Sequence, residues 1–162
     1  DLEKPKKMVI DADALNILAE NKDWLNLLPE NAILTPHPKE FERLAGLSAS
    51  SFERLQLQLH FSAKYKAVVV LKGAHTCITF PNGEVHFNST GNPGMATGGS
   101  GDVLTGIILG LLGQSYSPKD AALIGVYLHG LAGDLAAAKF SQQAMIAGDI
   151  IKQLGAAFLQ LE

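Results

Sequence analysis

The stretch Thr90-Gly91-Asn92-Pro93-Gly94-Met95-Ala96-Thr97-Gly98-Gly99-Ser100-Gly101-Asp102 runs directly into the apolar segment Val103-Leu104-Thr105-Gly106, and no other feature narrows the fold as much. Five glycines within eleven residues (Gly91, Gly94, Gly98, Gly99, Gly101) give the backbone a path barred to other residues. Successive N–H groups ahead of a helix start can then converge on phosphate oxygens, and the helix dipole favours the anion. Asp102 stands at the junction, where a carboxylate can deprotonate a substrate hydroxyl. A lone Asp at such a point would read as a helix cap; the glycine density and the flanking Ser and Thr favour anion binding and phosphoryl transfer.

Two familiar phosphate motifs are excluded. No G-x-x-x-x-G-K-[ST] is present, because no Lys follows Gly98 at the required spacing, and G-x-G-x-x-G fails because Leu104 stands where the third glycine belongs. The loop belongs to another nucleotide-binding scheme.

Periodicity supplies the scaffold around it. Met8–Ile10 reads as a strand, followed by a helix over Ala12–Leu28 with Leu15, Leu18, Leu25 and Leu28 on one side. Ala32–Leu34 is a second strand, and a helix over Lys39–Ala45 is opened by Pro38 and closed by Gly46. A helix capped by Ser50 or Ser51 reaches Tyr65, and the β-branched run Ala67–Leu71 is a buried central strand. Thr76–Phe80 and Glu84–Phe87 flank Pro81-Asn82-Gly83, a hairpin signal in which Asn-Gly supplies positive φ angles. Three apolar helices follow, over about Gly101–Leu112, Pro118–Lys139 and Gln143–Gln160. Strands alternating with helices predict an α/β fold: a doubly wound, largely parallel sheet with an antiparallel hairpin, flanked by helices, with no linker dividing it.

Open α/β sheets bind ligands at the carboxyl ends of their strands, so the polar residues there are the candidates. Asp11 and Asp13 can help hold a hydrated Mg²⁺, with helix capping as the competing role for Asp13. His37 can present an imidazole to substrate and Glu40 a carboxylate to metal-bound water; Glu40 alone would read as a partner of the helix dipole. Lys72 can meet a phosphate or ribose, and Gly73 lets the main chain approach a nucleotide. His60, His75, His86 and His129 show no zinc-type spacing, and His129, within Val126-Tyr127-Leu128-His129-Gly130, reads chiefly as a helix-packing or core residue, with lining of the site as the lesser reading.

A formal charge of −3 and the lack of a long basic cluster argue against nucleic-acid binding through a broad surface. The single Cys77, within an apolar run, reads as a packed core thiol and suits a reducing compartment. No signal peptide or membrane span is visible, and a cytoplasmic location is expected.

The motifs taken together resemble the ADP- or ATP-dependent NAD(P)H-hydrate dehydratases of the ribokinase-like superfamily. They are Asp11-Ala12-Asp13-Ala14-Leu15-Asn16, Leu34-Thr35-Pro36-His37-Pro38 with Glu40, Val70-Leu71-Lys72-Gly73-Ala74 with Thr76, the glycine loop through Leu104, and Leu128-His129-Gly130-Leu131-Ala132-Gly133-Asp134. The resemblance implies cofactor repair by a lyase: a nucleotide, ADP in preference to ATP, phosphorylates the ring hydroxyl of hydrated NADH or NADPH, and phosphate then leaves. It further implies that Lys72, Gly73, Ala74, His75 and Thr76, with Gly98, Gly99, Ser100 and Gly101, line the nucleotide. His37, Asn92 and Asp102 would face the hydrated dinucleotide, with Asp102 as base. Glu40, and Asp11 less directly, would associate with Mg²⁺.

Members of that family carry further strands ahead of the Asp-Ala-Asp strand. Residues 1–162 therefore match the C-terminal portion of a single domain, and association with the preceding portion or as a homo-oligomer, a tetramer by resemblance, is expected. Two other readings stay open, a ribokinase-like small-alcohol kinase and a nucleotide-binding fragment that catalyses nothing.

Overall fold

Period-two alternation in one strand organises the two cores of the protein. In the computed structural model, which describes residues 6–161, β3 (Val68–Leu71) is buried on both faces. Val69 and Leu71 pack with Leu15, Leu18, Phe41 and Phe61 on one side, while Val68 and Val70 pack with Leu104, Ile108, Leu111 and Val126 on the other. Successive side chains of a strand point to opposite faces, so a run of four apolar residues serves both layers at once.

The sheet has five strands in sequential order. β1 (Val9–Ile10), β2 (Ile33–Leu34) and β3 are parallel; β4 (Cys77–Thr79) and β5 (Val85–Phe87) continue antiparallel. α1 (Asp13–Glu20), α2 (Pro38–Ala45) and α3 (Ser51–Tyr65) carry the residues of the first core. α4 (Ser100–Gly113) and α5 (Pro118–Phe140) carry those of the second, and α6 (Ala147–Leu159) packs on α5 through a third cluster around Leu128, Met145 and Ile150. α5 is long and apolar enough to cross a membrane, yet half of that stretch is buried inside the fold.

Several helix boundaries fall where the capping residues place them. Pro38 opens α2, Gly46 ends it with φ 109°, and the Ser50 hydroxyl accepts from the Glu53 N–H at 3.1 Å. The helix expected over Ala12–Leu28 instead stops at Glu20. Asn21 turns its side-chain amide back onto the Ile17 carbonyl (2.9 Å), and the chain continues as a 3-10 helix over Lys22–Leu27. The last helix begins at Ala147 rather than near Gln143, because Ile146 is extended and its N–H bonds the Asp149 carboxylate at 3.1 Å. In the hairpin only Gly83 has positive φ. Phe80 and Glu84 pair across a three-residue loop, a turn closed by a left-handed glycine rather than the two-residue form.

Cys77 is a core thiol as expected, and burial pushes its pKa up to about 11. Beside it, Gln58 reaches from α3 to the Val69 and Cys77 carbonyls at 3.1 and 3.0 Å, tying the central strand to the first strand of the hairpin.

Candidate functional site

The carboxyl ends of β1, β2 and β3 lie side by side, joined by backbone bonds from Thr35 N–H to the Ile10 carbonyl (3.0 Å) and from Lys72 N–H to the Pro36 carbonyl (2.8 Å). Parallel pairing thereby brings Asp11, His37 and Lys72 to one rim from three distant parts of the chain. α4 arrives at the same rim from the opposite layer. A Cβ on Gly101 would stand 3.4 Å from Lys72 Nζ and 3.6 Å from Asp11 Oδ2, so the first turn of α4 rests against that pair.

Asp11 is tied on both oxygens. Oδ1 accepts from Lys72 Nζ at 2.7 Å and Oδ2 from the Thr105 hydroxyl at 2.8 Å. Its pKa is lowered: burial opposes ionisation, but the Lys72 ammonium and the Thr105 hydroxyl outweigh it. The metal role expected of Asp11 therefore meets a carboxylate already engaged in cross-linking β1, β3 and α4. Asp13 is the first residue of α1 and makes no cap; the cap position is Ala12, with φ 51° and ψ −126°. Such a conformation is costly for a residue with a Cβ.

His37 and Glu40 form a reciprocal cap at the start of α2. His37 Nδ1 accepts from the Lys39 and Glu40 N–H groups (3.1 and 3.3 Å), and Glu40 Oε2 accepts from the His37 N–H at 2.7 Å. Glu40 Oε1 lies 3.3 Å from His37 Nε2. The ring is half-exposed although both its nitrogens face partners within the cap, whereas Glu40 is buried with one oxygen on the His37 N–H and the other against His37 Nε2. Among the described residues no cluster of three His, Cys, Asp or Glu side chains suits a metal ion.

The glycine loop ends as the sequence implies. Gly99 caps α4 in the left-handed region, φ 87°, and Asp102 occupies the first turn. Among the described residues, the backbone N–H groups of Gly98, Gly99, Gly101 and Asp102 and the Asp102 carboxylate have no hydrogen-bond partner in the protein. Four donors and a carboxylate are thus left unpaired at the positive end of a helix. Asp102, Thr105 and Gly106 also border an apolar groove of about 760 Å³ that runs along the outer side of β1, with Met8, Ile10 and Leu28 among its walls. Gly73, Ala74 and His75, after β3, are exposed, and Thr76 closes their turn with a 3.3 Å bond to the Gly73 carbonyl.

α5 contributes what the sequence reading missed. His129 is a largely buried helix-packing residue, as expected, and its contact is specific: its Nε2 lies 3.3 Å from the Ser100 hydroxyl, at the start of α4. Burial pulls its pKa down to about 4, the Ser100 contact opposing and the nearby Lys72 charge assisting. Asp134 accepts from the Gly91 N–H and the Asn92 amide, both at 2.9 Å, and the Thr90 hydroxyl donates to the Tyr127 carbonyl at 2.9 Å. Asn92 Oδ1 in turn accepts from the Gly94 N–H at 3.1 Å, so both polar ends of the Asn92 side chain are engaged inside the loop. Thr105 was equally hidden, a hydroxyl inside an apolar helix.

These contacts separate two kinds of glycine. A Cβ on Gly130 would lie 2.2 Å from the Thr90 hydroxyl and 2.7 Å from its carbonyl carbon, whereas one on Gly98 meets nothing within 4 Å. Gly130→Ala is expected to destabilise the fold by about 1–3 kcal/mol through overpacking, and to loosen the loop. Gly98→Ala should unfold with the same midpoint as the unaltered chain yet bind ADP more weakly, because its methyl intrudes only on the ligand side. Denaturation and calorimetric titration of both variants check this; equal stability losses would mean that Gly98 also packs against protein.

A five-stranded sheet, parallel then antiparallel and flanked by helices, with a glycine loop opening α4, defines a ribokinase-like fold. The chain belongs to the NAD(P)H-hydrate dehydratase family, whose model matches residues 1–155. It is 50% identical over 156 residues to a bifunctional NAD(P)H-hydrate repair enzyme of Moorella thermoacetica, a match covering 95% of this chain and 29% of that one. It is 45% identical over 134 residues to the ADP-dependent (S)-NAD(P)H-hydrate dehydratase of Neisseria meningitidis, covering 80% and 45% of the two. The crystal structure of the Bacillus subtilis ADP/ATP-dependent NAD(P)H-hydrate dehydratase, co-crystallised with ATP and Mg²⁺, superposes with a TM-score of 0.83 at 33% identity, covering 99% of this chain and 57% of that one. The chain thus spans less than two thirds of each of these relatives.

Proposed function

We propose that this chain is the nucleotide-binding, phosphoryl-transferring part of an enzyme that dehydrates hydrated NADH or NADPH, with ADP or ATP as phosphoryl donor. The observation that carries the reading is the set of four unpartnered N–H groups at the start of α4 beside the unpartnered Asp102 carboxylate. Asp102 takes the proton of the ring hydroxyl as its oxygen attacks the terminal phosphorus of the nucleotide. The N–H groups of Gly98, Gly99, Gly101 and Asp102 stabilise the charge on the transferred group, a role that preformed donors fill without reorganisation. Lys72, held by Asp11, adds a fixed positive charge behind them. The ring nitrogen's electron pair then expels phosphate, and loss of the neighbouring ring proton restores the reduced nicotinamide.

His37 meets the dinucleotide through the exposed part of its ring, and the exposed Gly73–Thr76 turn meets the nucleotide. Mg²⁺, present with ATP in the Bacillus crystal, supplies charge neutralisation on the phosphates. With the oxygens of Asp11 and Glu40 engaged, those carboxylates would act on it through water. The relatives' greater length and the open apolar groove along β1 support a domain completed there by a preceding portion. The cytoplasm, where free NADH and NADPH are used, is the setting this chemistry calls for.

The test supplies hydrated NADH with ADP or ATP, to the chain alone and to the polypeptide that includes the preceding portion, and follows absorbance of the reduced nicotinamide. Nucleotide-dependent recovery is expected in the longer form. No recovery with folded protein would remove the dehydratase reading, and accumulation of a stable phosphorylated alcohol would replace it with a kinase. Full activity of a monomeric 162-residue chain would remove the idea of an incomplete domain.

A further inference from the structure

The glycine loop is held less by its own turns than by one face of α5. Tyr127, Gly130 and Asp134 recur at helical spacing along α5 and touch Thr90, Gly91 and Asn92, while His129 on the same helix reaches Ser100 at the loop's other end. Between these ties the loop makes short-range bonds, from Met95 N–H to the Asn92 carbonyl and from Ala96 N–H to the Pro93 carbonyl (both 3.1 Å). The start of that turn rests on the Asn92 side chain, and the Asn92 side chain rests on Asp134.

We propose that Asp134 is a positioning residue for the phosphate cradle: its carboxylate fixes the Gly91 N–H and the Asn92 amide, and so sets the path by which the loop reaches Gly98–Asp102. The inference rests on the phosphoryl-transfer reading for its purpose, and on the three hydrogen bonds for its mechanism. In this arrangement Asn92 acts on the ligand through the loop and not by contact. Asp134 lies within a helix whose neighbouring residues are alanine, leucine and glycine, and neither its charge nor its place there contributes a helix cap.

The geometry offers an exchange that tests the idea. Asp134→Asn and Asn92→Asp each leave the three-bond set incomplete. The double variant Asn92→Asp/Asp134→Asn re-forms all of it with roles reversed: the amide on α5 donates to the carboxylate in the loop, its oxygen accepts from Gly91, and the carboxylate also accepts from the Gly94 N–H. Hydrogen exchange read at the Gly91, Gly94, Met95 and Ala96 amides of the unliganded chain should rise about tenfold or more in each single variant. It should return to the original rate in the double variant, with the Val68–Leu71 amides unchanged throughout. ADP affinity by calorimetry should follow the same order, lowered in the single variants and restored in the exchanged pair. Loop exchange that is unaltered in the single variants, or that stays high in the double variant, overturns the proposal. So does an ADP affinity that stays low while loop protection returns, because the side chains would then act by contact. If the unaltered chain fails to bind ADP, the dehydratase reading falls, and loop protection that follows the exchange still upholds the anchoring.

Discussion

Asp102→Asn is expected to lower turnover by about 10²–10⁴-fold, the usual weight of a positioned general base, while leaving ADP or ATP affinity nearly unchanged. Asn matches Asp in size, and Asp102 makes no side-chain hydrogen bond among the described residues, so no contact of the fold is broken. What is lost, on the proposed mechanism, is the group that accepts the hydroxyl proton. A small stability cost accompanies it, about 0.3–1 kcal/mol, because an acidic residue in the first turn of α4 complements the helix dipole. The backbone N–H groups proposed to meet the phosphates are untouched, which is why binding and turnover should part company. Calorimetry for affinity and absorbance of the reduced nicotinamide for turnover, both in the polypeptide that includes the preceding portion, check the split. Retained turnover would show that another group removes the proton; lost affinity would show that Asp102 holds the nucleotide.

The parts of this site that were legible in the sequence are those whose signal is local. A β-branched run ending in Lys-Gly marks the end of a buried parallel strand, and the Pro38 and Gly46 bracket marks α2, so ligand-side residues can be placed before any coordinates exist. The glycine loop is legible as a motif for the same reason, since its glycines and the helix start lie in one stretch, although its path is fixed by ties to α5 that lie about 40 residues on. The break at Asn21 was hidden because the leucine spacing continues through it, and a side-chain amide bonding four residues back overrides that spacing. Asp11 was recognised as a candidate site residue, but its partners were not: periodicity cannot show that Lys72 and Thr105, 61 and 94 residues away, bond its oxygens. α5 carried a signal that went unread. Gly130 and Gly133 sit inside a long helix, each at a cost of about 1 kcal/mol relative to alanine, and a polar residue stands next to each, which together call for a close neighbour. That neighbour is the loop itself.

Acidification should weaken the fold through His129 in a window that opens above that of the carboxylates. In the folded chain burial holds the imidazole neutral down to about 4, against an ordinary value of 6.5. The unfolded chain therefore takes up a proton at this residue where the folded chain does not, and stability falls as pH drops. The contribution is fully present above pH 6.5 and is lost progressively toward pH 4, where the folded imidazole also protonates. At about 1.4 kcal/mol per unit the whole loss is about 3 kcal/mol, a large share of a small domain's stability. Asp11 acts in the same direction at lower pH, since its lowered pKa yields stability that is present above 3.8 and lost only as pH falls through the folded value. Urea denaturation at intervals between pH 7 and 4 should show the decline, and His129→Gln should flatten it while retaining a polar partner for Ser100. An equal decline in the variant would place the acid sensitivity elsewhere. Because the ring lies against Ser100 at the first turn of α4, its protonation strains the cradle as well as the core, and ADP affinity should fall over the same range faster than ionisation of the nucleotide alone explains.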